Sequence, residues 1–229
     1  MPFVLLNLAM TADGKIATAE RAPFSFSSPR DREHMLELRA TVDAVMNGAR
    51  TADLNEISMG PGPEKYRRER LRRGLSEYNL RVIVSGGGTV DPAAKVFKLR
   101  FSPIVILTTR RAGARRIRAL REVADEVKEF GTDELDFRAA FRWLREKLNV
   151  RRLLCEGGGE IDDALFRAGL VDELHLTICP KICGGRSAPT ICDGRGFPTL
   201  ARAVPMRLHS AKRYEGELFL VYRRVGKHA

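Results

Sequence analysis

Residues 150–165 read VRRLLCEGGGEIDDAL and decide which fold class the chain can adopt. Residues 152–155 form a short, mostly apolar run, three glycines follow it, and an acidic segment then opens an amphipathic pattern. The run predicts a buried strand, and the pattern after the glycines predicts a helix. A strand that passes through a glycine turn into a helix is a building unit of sheets with parallel strands, so the sequence predicts an α/β protein.

Short β-branched runs alternate with longer amphipathic runs along most of the chain. Ser28 is a suitable N-cap for the first helix, and Gly216 supplies a hairpin turn between the last two strands. The helix at 136–148 carries Phe137, Phe141, Leu144 and Leu148 on one face. Helices are predicted at residues 29–40, 64–75, 114–120, 136–148 and 159–168, and the predicted strands include 44–48, 81–85, 152–155, 173–179, 206–214 and 217–224. We expect one domain over residues 1–229, with a mixed, mostly parallel sheet of about eight strands, a C-terminal antiparallel hairpin and helices on both faces.

The balance of charges limits the class of partner. The 229 residues include 40 Lys and Arg against 29 Asp and Glu, which gives a formal net charge of +11. A basic surface favours an anionic ligand. With 44% hydrophobic residues the chain can bury a core, and no apolar run approaches the ~18 residues of a membrane helix. The first residues carry no basic leader, so we expect a cytoplasmic protein with no membrane partner.

Three of the four cysteines, Cys179, Cys183 and Cys192, follow His175 with the spacing H-x3-C-x3-C-x8-C, which is compatible with a zinc site. Structural zinc ligands usually come from tight turns, whereas His175 and Cys179 stand in an alternating run that predicts a strand. We therefore interpret the cysteines as reduced thiols and predict no metal site.

The glycine turn at residues 157–159 is a candidate phosphate site. Glycines between a strand and a helix expose backbone N–H groups at the positive end of the helix. The turn is neither G-x-G-x-x-G nor a P-loop, because Asp162 stands where a third glycine would be. A turn whose acidic neighbours only complement the helix dipole is the open alternative.

Two further segments follow predicted strands: residues 85–89 read SGGGT, and residues 108–111 read TTRR. Loops at the carboxyl ends of parallel strands meet at one edge of a sheet, where such folds bind ligands. Arg110 and Arg111 could clamp the 2′-phosphate that distinguishes NADPH from NADH, and a solvated basic loop is the alternative. Glu156, at a third strand end, fits either a substrate contact or hydrogen bonds to turn amides.

Several short segments match the sequence pattern of a known protein family, and they occur in the same order along the chain. They are residues 7–17 (NLAMTADGKIA), 28–29 (SP) with 38–40 (LRA), 43–51 (DAVMNGART), 156–158 (EGG), and 169–174 (GLVDEL) with Pro180 and residues 184–185 (GG). With this series the chain resembles the pyrimidine reductases of riboflavin biosynthesis, a family with a dihydrofolate-reductase-like fold. The resemblance extends over nearly the whole chain.

This resemblance implies an NADPH-dependent reductase. Its substrate would be a 5′-phosphorylated diaminopyrimidine, whose ribosylamino side chain becomes ribitylamino when hydride reaches C1′ of an open-chain imine. The family also implies a homodimer. The fused deaminase of some members is not expected, because neither H-x-E nor P-C-x-x-C occurs. Hydride transfer needs no Ser/His/Asp or Cys/His group, and the sequence reveals no partner for His34 or His175.

Residue roles follow from the resemblance and from the strand ends. By resemblance, Asp13 and Lys15 belong to a loop over the nicotinamide, and with Glu156 they are the candidate catalytic residues. The expected substrate contacts are Asn7, Ser28, Arg39, Met59 and Glu156. The expected cofactor contacts are Thr51, Asn55, Ser85, Gly86, Thr108, Arg110, Gly157, Gly158, Gly159, Glu160 and Ile161.

The chain departs from the family pattern after Thr51. Asn55 stands where the family usually has an aspartate, and an amide can still hydrogen-bond a ribose. Gly62 offers no cation at a substrate-side position where some members have an arginine. The substrate phosphate would then need Arg39, Lys65 or another cation.

Two other functions stay open. One is reduction of folate or another pyrimidine on the same fold, although the first helix offers Arg39 and no acidic residue at a clear pterin-contact position. The other is nucleic-acid binding, suggested by the net charge of +11. Aromatic residues make up only 7% and do not interleave with the basic runs, so no nucleic-acid partner is expected. Most remaining cations fall on helices 64–75 and 114–121, which we interpret as solvated surface.

Overall fold

The computed structural model describes residues 1–21, 26–54 and 57–226. The chain divides into two compact units: unit 1 comprises Met1–Pro2 and Leu36–Cys155, and unit 2 comprises Phe3–Met35 and the residues from Glu156 onward. In chain order the elements are β1 (Phe3–Thr11), α1 (Pro29–Arg39), β2 (Ala44–Gly48), α2 (Ala49–Ala52), α3 (Glu64–Arg72), β3 (Leu80–Val84), α4 (Lys95–Lys98), β4 (Ile104–Thr108), α5 (Gly113–Arg121), β5 (Glu126–Glu129), α6 (Phe137–Lys147), β6 (Arg152–Cys155), α7 (Gly159–Arg167), β7 (Glu173–Cys179), β8 (Met206–Tyr214) and β9 (Glu217–Arg224).

The five strands of unit 1 are all parallel and lie in the order β5-β4-β3-β2-β6. Every residue of β4 is buried, and the central strands carry fully buried side chains such as Ile83, Ile106 and Leu154. Parallel strands that are covered on both faces have such continuous apolar runs. Because the strands run in one direction, the loops that follow β2, β3 and β4 lie along the same edge.

Helix α6 shows how the apolar spacing determines which face is buried. Its buried residues recur at intervals of three and four: Phe137, Ala140, Phe141 and Leu144. Asp136 caps the helix, accepting a hydrogen bond from the N–H of Ala139 at 3.0 Å. The expectation that Leu148 shares this face is wrong, because the helix ends at Lys147 and Leu148 is exposed.

Helix α3 is shorter than expected and is not entirely solvated. Arg70 is fully buried, and its guanidinium group donates to the carbonyl oxygens of Arg39 and Val42 at 2.6 Å and of Ser76 at 2.9 Å. Burial lowers the pKa of Arg70 to about 10. The interpretation of this helix as solvated surface is therefore wrong at Arg70, which donates hydrogen bonds to backbone carbonyl groups in the protein interior.

Unit 2 contains the antiparallel part of the structure. Its strands lie in the order β1-β7-β9-β8, with β1 and β7 parallel and β9 antiparallel to both of its neighbours. Residues Glu215 and Gly216, both with positive φ, form the hairpin turn. Asn7 lies opposite His175 across β1 and β7, so their side chains share one face of the strands.

The predicted α/β class, with mostly parallel strands and a C-terminal antiparallel hairpin, is confirmed. The described residues contain nine strands rather than about eight, and five of the predicted strands have the predicted bounds. Within the described ranges, no helix has the length and apolar character that crossing a membrane requires. The expectation of a single domain over residues 1–229 stays a prediction.

Candidate functional site

Hydrogen bonds hold together the turns that follow β3 and β4. The carbonyl oxygen of Gly86 accepts from the N–H of Thr109 at 3.2 Å, from its Oγ1 at 2.8 Å, and from Oγ1 of Thr108 at 3.2 Å. Oγ of Ser85 accepts from the N–H groups of residues 89–90. All three hydroxyl-bearing residues are buried, so they organise the turns. The two strand ends meet, as the sequence predicts.

Two backbone N–H groups at this strand end have no acceptor in the part of the chain that the structure describes. The N–H groups of Gly86 and Gly87 donate to no acceptor within residues 1–21, 26–54 and 57–226. They lie at the carboxyl end of a parallel strand, where α/β sheets commonly bind phosphate groups. Both groups are therefore candidate donors to a cofactor phosphate.

A groove of about 430 Å³ opens beside the same turn. Residues 88–92 form one wall, and Arg115 and Arg116 of α5 line the other. Nη1 of Arg116 donates to the carbonyl oxygen of Gly87 at 2.9 Å, which holds this side chain against the turn. A pair of guanidinium groups at such a place suits a phosphate monoester.

Arg110 and Arg111, which the sequence suggested as a phosphate clamp, do not line this groove. Their backbone N–H groups donate to the carbonyl oxygens of residues 131 and 132, and both residues are exposed. Arg115 and Arg116, which the sequence predicted as solvated surface, are exposed as well, and they line the groove. Their position in the first turn of α5, shortly after β4, is the signal that could have identified them.

The segment after β2 carries Thr51, which is half-buried in the short helix α2. Oδ1 of Asp53 accepts from the N–H of Asp91 at 2.9 Å and so ties this segment to the wall of the groove. Burial raises the pKa of Asp53, and the nearby carboxylate of Asp91 raises it further. Asn55, the predicted ribose contact, lies outside the described residues.

Arg39 and Met59, both predicted along the substrate, lie in the interior of unit 1. Nη1 of Arg39 donates to the carbonyl oxygen of Gly60 at 2.7 Å, and the carbonyl oxygen of Met59 accepts from Nδ2 of Asn79 at 2.7 Å. These contacts give both residues a part in holding the segment that follows α2. Their contacts to a substrate stay predictions.

In unit 2, each glycine of the turn before α7 has its own structural reason. A Cβ on Gly157, where φ is +64°, would lie 2.9 Å from Cδ2 of Leu8. A Cβ on Gly159 would lie 2.9 Å from the backbone nitrogen of Asp193, whose segment crosses the start of α7. Gly158, with φ of +117°, borders open space. Of the three glycines, Gly158 thus offers the free volume that a phosphate group needs.

Of the acidic residues after this turn, Asp163 forms hydrogen bonds within unit 2. The buried carboxylate of Asp163 pairs with Nε of Arg167 at 2.8 Å and accepts from the N–H of Gly196 at 3.0 Å. Glu160 is exposed, and both Ile161 and Glu156 are half-buried. Asp163 therefore has partners within unit 2, while the helix-dipole interpretation of the acidic turn and the cofactor and substrate roles of the other residues stay predictions.

Asp13 and Lys15 tie the loop after β1 to residues 183–188. The carboxylate of Asp13 accepts from Oγ1 of Thr11 at 2.6 Å and from the N–H groups of Cys183 and Gly184 at 3.1 and 2.7 Å. The hydrogen bond from Thr11 and those from the two amides lower the pKa of Asp13 to about 2. Nζ of Lys15 donates to the carbonyl oxygen of residue 188 at 3.1 Å. An ionised Asp13 cannot serve as a general acid at neutral pH.

Ser28 caps α1 as predicted, because its Oγ accepts from the N–H of Asp31 at 3.3 Å. The same residue binds the buried Glu217 of β9: its N–H donates to Oε1 at 2.8 Å and its Oγ donates to Oε2 at 2.6 Å. The start of α1 is therefore fixed to β9. The expected substrate contact of Ser28 stays a prediction.

His34 and His175, for which the sequence reveals no partner, lie side by side in the structure. Nε2 of His34 lies 3.1 Å from Nδ1 of His175, and Nε2 of His175 lies 2.7 Å from Oε1 of Glu173. Nε of Arg223 donates to Oε2 of Glu173 at 2.7 Å. On the same face, Oδ1 of Asn7 is buried and accepts no hydrogen bond from the described part of the chain.

Asp31 is an acidic residue of the first helix that the sequence did not identify at a pterin-contact position. Asp31 is buried in the first turn of α1, three residues after the N-cap. Among the described residues its Oδ1 accepts no hydrogen bond. The spacing Ser28-x-x-Asp31-x-x-His34, which places the three side chains on one helix face, is the signal that could have found it.

The chain matches the family model described as the RibD C-terminal domain over residues 2–220. A protein of Archaeoglobus fulgidus named 2,5-diamino-6-ribosylamino-4(3H)-pyrimidinone 5′-phosphate reductase is 33% identical over 82% of this chain and 84% of its own length. A protein of the same name from Methanothermobacter thermautotrophicus is 32% identical over 96% of this chain and 97% of its own length. The crystal structure of a pyrimidine reductase-like protein from Corynebacterium diphtheriae matches with a TM-score of 0.81 and 20% identity, covering 99% of this chain and 93% of that one.

Proposed function

The chain belongs to the family of the RibD C-terminal domain, and we propose that it is an NADPH-dependent reductase of riboflavin biosynthesis. The proposed substrate is the 5′-phosphorylated diaminopyrimidinone that its archaeal relatives are named for. The proposed reaction converts the ribosylamino side chain into a ribitylamino chain. The observation that carries the proposal is the strand end at Gly86 and Gly87, whose N–H groups have no acceptor among the described residues, in a chain so similar to these reductases.

The residues at the strand ends of unit 1 fit a phosphorylated nicotinamide cofactor. We propose that the N–H groups of Gly86 and Gly87 donate to a cofactor phosphate, in a turn that Ser85 and Thr108 hold rigid. Cations stand nearby for the 2′-phosphate of NADPH: Arg110 after β4, and Arg115 and Arg116 in the groove. The segment after β2, with Thr51 and Asn55, is proposed to contact a ribose.

In unit 2, the turn and helix start at residues 157–161 are proposed as further cofactor contacts. Gly158 supports this proposal most directly, because it borders open space while Gly157 and Gly159 are closely packed. The positive end of α7 points to the same turn. Glu160 and Ile161 follow at the surface of the helix start, where they are proposed as flanking contacts.

The bound nicotinamide supplies a hydride, and the protein's task is to hold the imine carbon in reach and to exclude water. Reduction of the C1′=N bond adds hydride at carbon and a proton at nitrogen. We propose that Oδ1 of Asn7, which is buried and receives no hydrogen bond from the described residues, accepts from an amino group of the substrate. Glu156 is proposed to balance the positive charge of the protonated imine. Asp13 and Lys15 are proposed to position the loop, consistent with their hydrogen bonds.

We further propose a homodimer in which residues 1–229 act as one reductase domain in the cytoplasm. Strand β8 pairs on one side with β9, and no other described strand pairs with it. Leu208 and Leu218 are exposed on the same hairpin, and a second copy could cover such an edge. The four free thiols favour a reducing compartment. Light scattering on a sizing column tests the dimer, and a mass of one chain would contradict it.

The experiment that tests the function measures NADPH oxidation with the ribosylamino-diaminopyrimidinone 5′-phosphate as substrate. The expected result is turnover, with a product that has gained two hydrogen atoms by mass spectrometry. Dihydrofolate and the unphosphorylated ribosylamine are the controls, and both are expected to react poorly. Turnover of dihydrofolate alone would favour the folate alternative, and salt-sensitive DNA binding without NADPH affinity would favour a nucleic-acid-binding protein.

A further inference from the structure

One acidic side chain of unit 2, that of Asp31, is buried with an oxygen atom that receives no hydrogen bond from the described residues. The exposed fraction of Asp31 is only 9%, and its Oδ1 accepts no hydrogen bond within residues 1–21, 26–54 and 57–226. A buried polar group left unsatisfied costs about 1–3 kcal/mol, and a charged one costs more. The carboxylate is therefore better satisfied when a ligand brings donors to it.

Its surroundings fix where this carboxylate lies. Ser28 is held by Glu217 of β9, and Oγ of Ser28 in turn accepts from the N–H of Asp31, so the first turn of α1 has little freedom. On β7, the pKa of the Cys179 thiol is raised to about 12 by burial, by a hydrogen bond with Glu217 and by the negative charges of Glu217 and Asp31. Asp31 thus lies close to the end of β7.

A second acceptor without a donor lies on the same face of these strands. Side chains alternate along a strand, so Cys179, Thr177 and His175 share one face of β7. Asn7 of β1 is the direct neighbour of His175, and its Oδ1 is also buried without a donor in the described part of the chain. A ligand for this face should therefore carry several N–H donors and few acceptors.

We propose that Asp31 binds the N–H edge of a 2-aminopyrimidin-4-one and thereby makes this reductase specific for a diaminopyrimidinone over the corresponding uracil. The inference rests on the proposed function. In the diaminopyrimidinone, the ring N3–H and one hydrogen of the 2-amino group point in the same direction and match the two oxygens of a carboxylate. In the uracil, the atom on C2 is a carbonyl oxygen, which offers the carboxylate a lone pair where a donor is needed.

The test compares kcat/KM for two substrates that differ only at C2, the diaminopyrimidinone ribosylamine phosphate and its 2-oxo counterpart. A site built to receive an N–H group rejects an analogue that lacks it strongly, so the wild type should prefer the 2-amino substrate by at least about 100-fold. Asp31→Asn should lower this preference by at least about 30-fold, because a carboxamide can donate to the 2-oxo group and accept from N3–H. The matched control is Glu33→Gln, an exposed charge on the same helix, which should keep the preference.

The outcomes separate this inference from the proposed function. If the wild type reduces both substrates equally, or if Asp31→Asn keeps the full preference, the inference is wrong and the reductase function stands. If the wild type reduces neither substrate with NADPH, the proposed function itself is wrong.

A second measurement does not depend on a folded variant. 2,6-Diaminopyrimidin-4-one and 6-aminouracil differ only at C2 and are compared as competitive inhibitors of the wild type. The 2-amino compound should inhibit at a concentration at least tenfold lower. Equal inhibition by the two compounds, or none by either, would contradict the role of Asp31.

Discussion

The hydroxyl group of Thr109 donates to the carbonyl oxygen of Gly86 over 2.8 Å, and the N–H of Thr109 donates to the same oxygen. The end of β4 therefore holds the turn after β3 in place. The N–H groups of Gly86 and Gly87, which we propose as phosphate donors, belong to this turn. A turn that is ordered before binding lowers the entropic cost of holding a cofactor.

Thr109→Val removes one of these hydrogen bonds with little change of shape. We expect the variant to lose about 1 kcal/mol of stability and to bind NADPH about fivefold more weakly, because the turn is less well fixed. Urea denaturation and a fluorescence titration with NADPH measure the two effects. Thr132→Val, at an exposed threonine, is the matched control and should change neither. Unchanged NADPH affinity in Thr109→Val would contradict the role of the turn.

The arginines near β4 should contribute unequally to cofactor choice. All four arginines are exposed, but only Arg115 and Arg116 line the groove. Replacing the first pair with glutamine should weaken NADPH binding about tenfold or more and leave NADH binding nearly unchanged, because only NADPH carries the 2′-phosphate. The same replacement at Arg110 and Arg111 should reduce the difference in affinity between NADPH and NADH by a smaller factor than the replacement at Arg115 and Arg116. Equal affinity of the wild type for NADPH and NADH would contradict the 2′-phosphate assignment altogether.

Glu156→Gln should damage turnover far more than cofactor binding. A carboxylate that balances a protonated imine acts on the reacting substrate, so its loss should lower kcat by about 100-fold. NADPH affinity should stay within about twofold of the wild type. Steady-state kinetics and a titration measure the two quantities, and Glu146→Gln, an exposed site on α6, is the control. A parallel loss of NADPH affinity would instead place Glu156 at the cofactor.

Glu173 should make the free energy of unfolding depend on pH in the acidic range. The hydrogen bond from His175, together with that from Arg223, lowers its pKa from 4.5 to about 2. A lowered carboxyl pKa adds stability above pH 4.5 that is lost as the pH falls towards 2, because the unfolded chain binds the proton first. Glu173→Gln should therefore be about 2 kcal/mol less stable than the wild type at pH 7, with the gap closing in acid. Urea denaturation across this pH range measures it. A gap that stays constant with pH, as expected of the exposed control Glu122→Gln, would contradict this linkage.

Local patterns made much of the fold predictable. Strand β6 has its predicted bounds because four mostly apolar residues end at a glycine turn, and the β8–β9 hairpin follows from alternation around Gly216. The meeting of Ser85 and Thr108 was also predictable, since parallel neighbours end at one edge. Each of these features depends on residues close in sequence or on one general rule of sheet topology.

Contacts between distant segments were not predictable in the same way. His34 and His175 lie 141 positions apart, and Ser28 reaches Glu217 over 189 positions. Periodicity indicates that a helix face is buried, but it does not indicate which polar group of another segment will meet it. No local pattern predicts the contact of His34 with His175 or the burial of Asp31, because both depend on strands far away in the sequence.

Arg70 gives the most direct test of such a long-range contact. Its guanidinium group donates to three carbonyl oxygens in the interior of unit 1, and charge patterning alone placed it in solvent. Arg70→Met keeps most of the volume but leaves these carbonyl groups without their donor, so the variant should lose about 2–4 kcal/mol of stability. Arg68→Met on the same helix removes an exposed ion pair with Glu64 and should cost less than about 1 kcal/mol. Chemical denaturation of both variants measures the contrast, and equal small losses would show that α3 is solvated along its whole length.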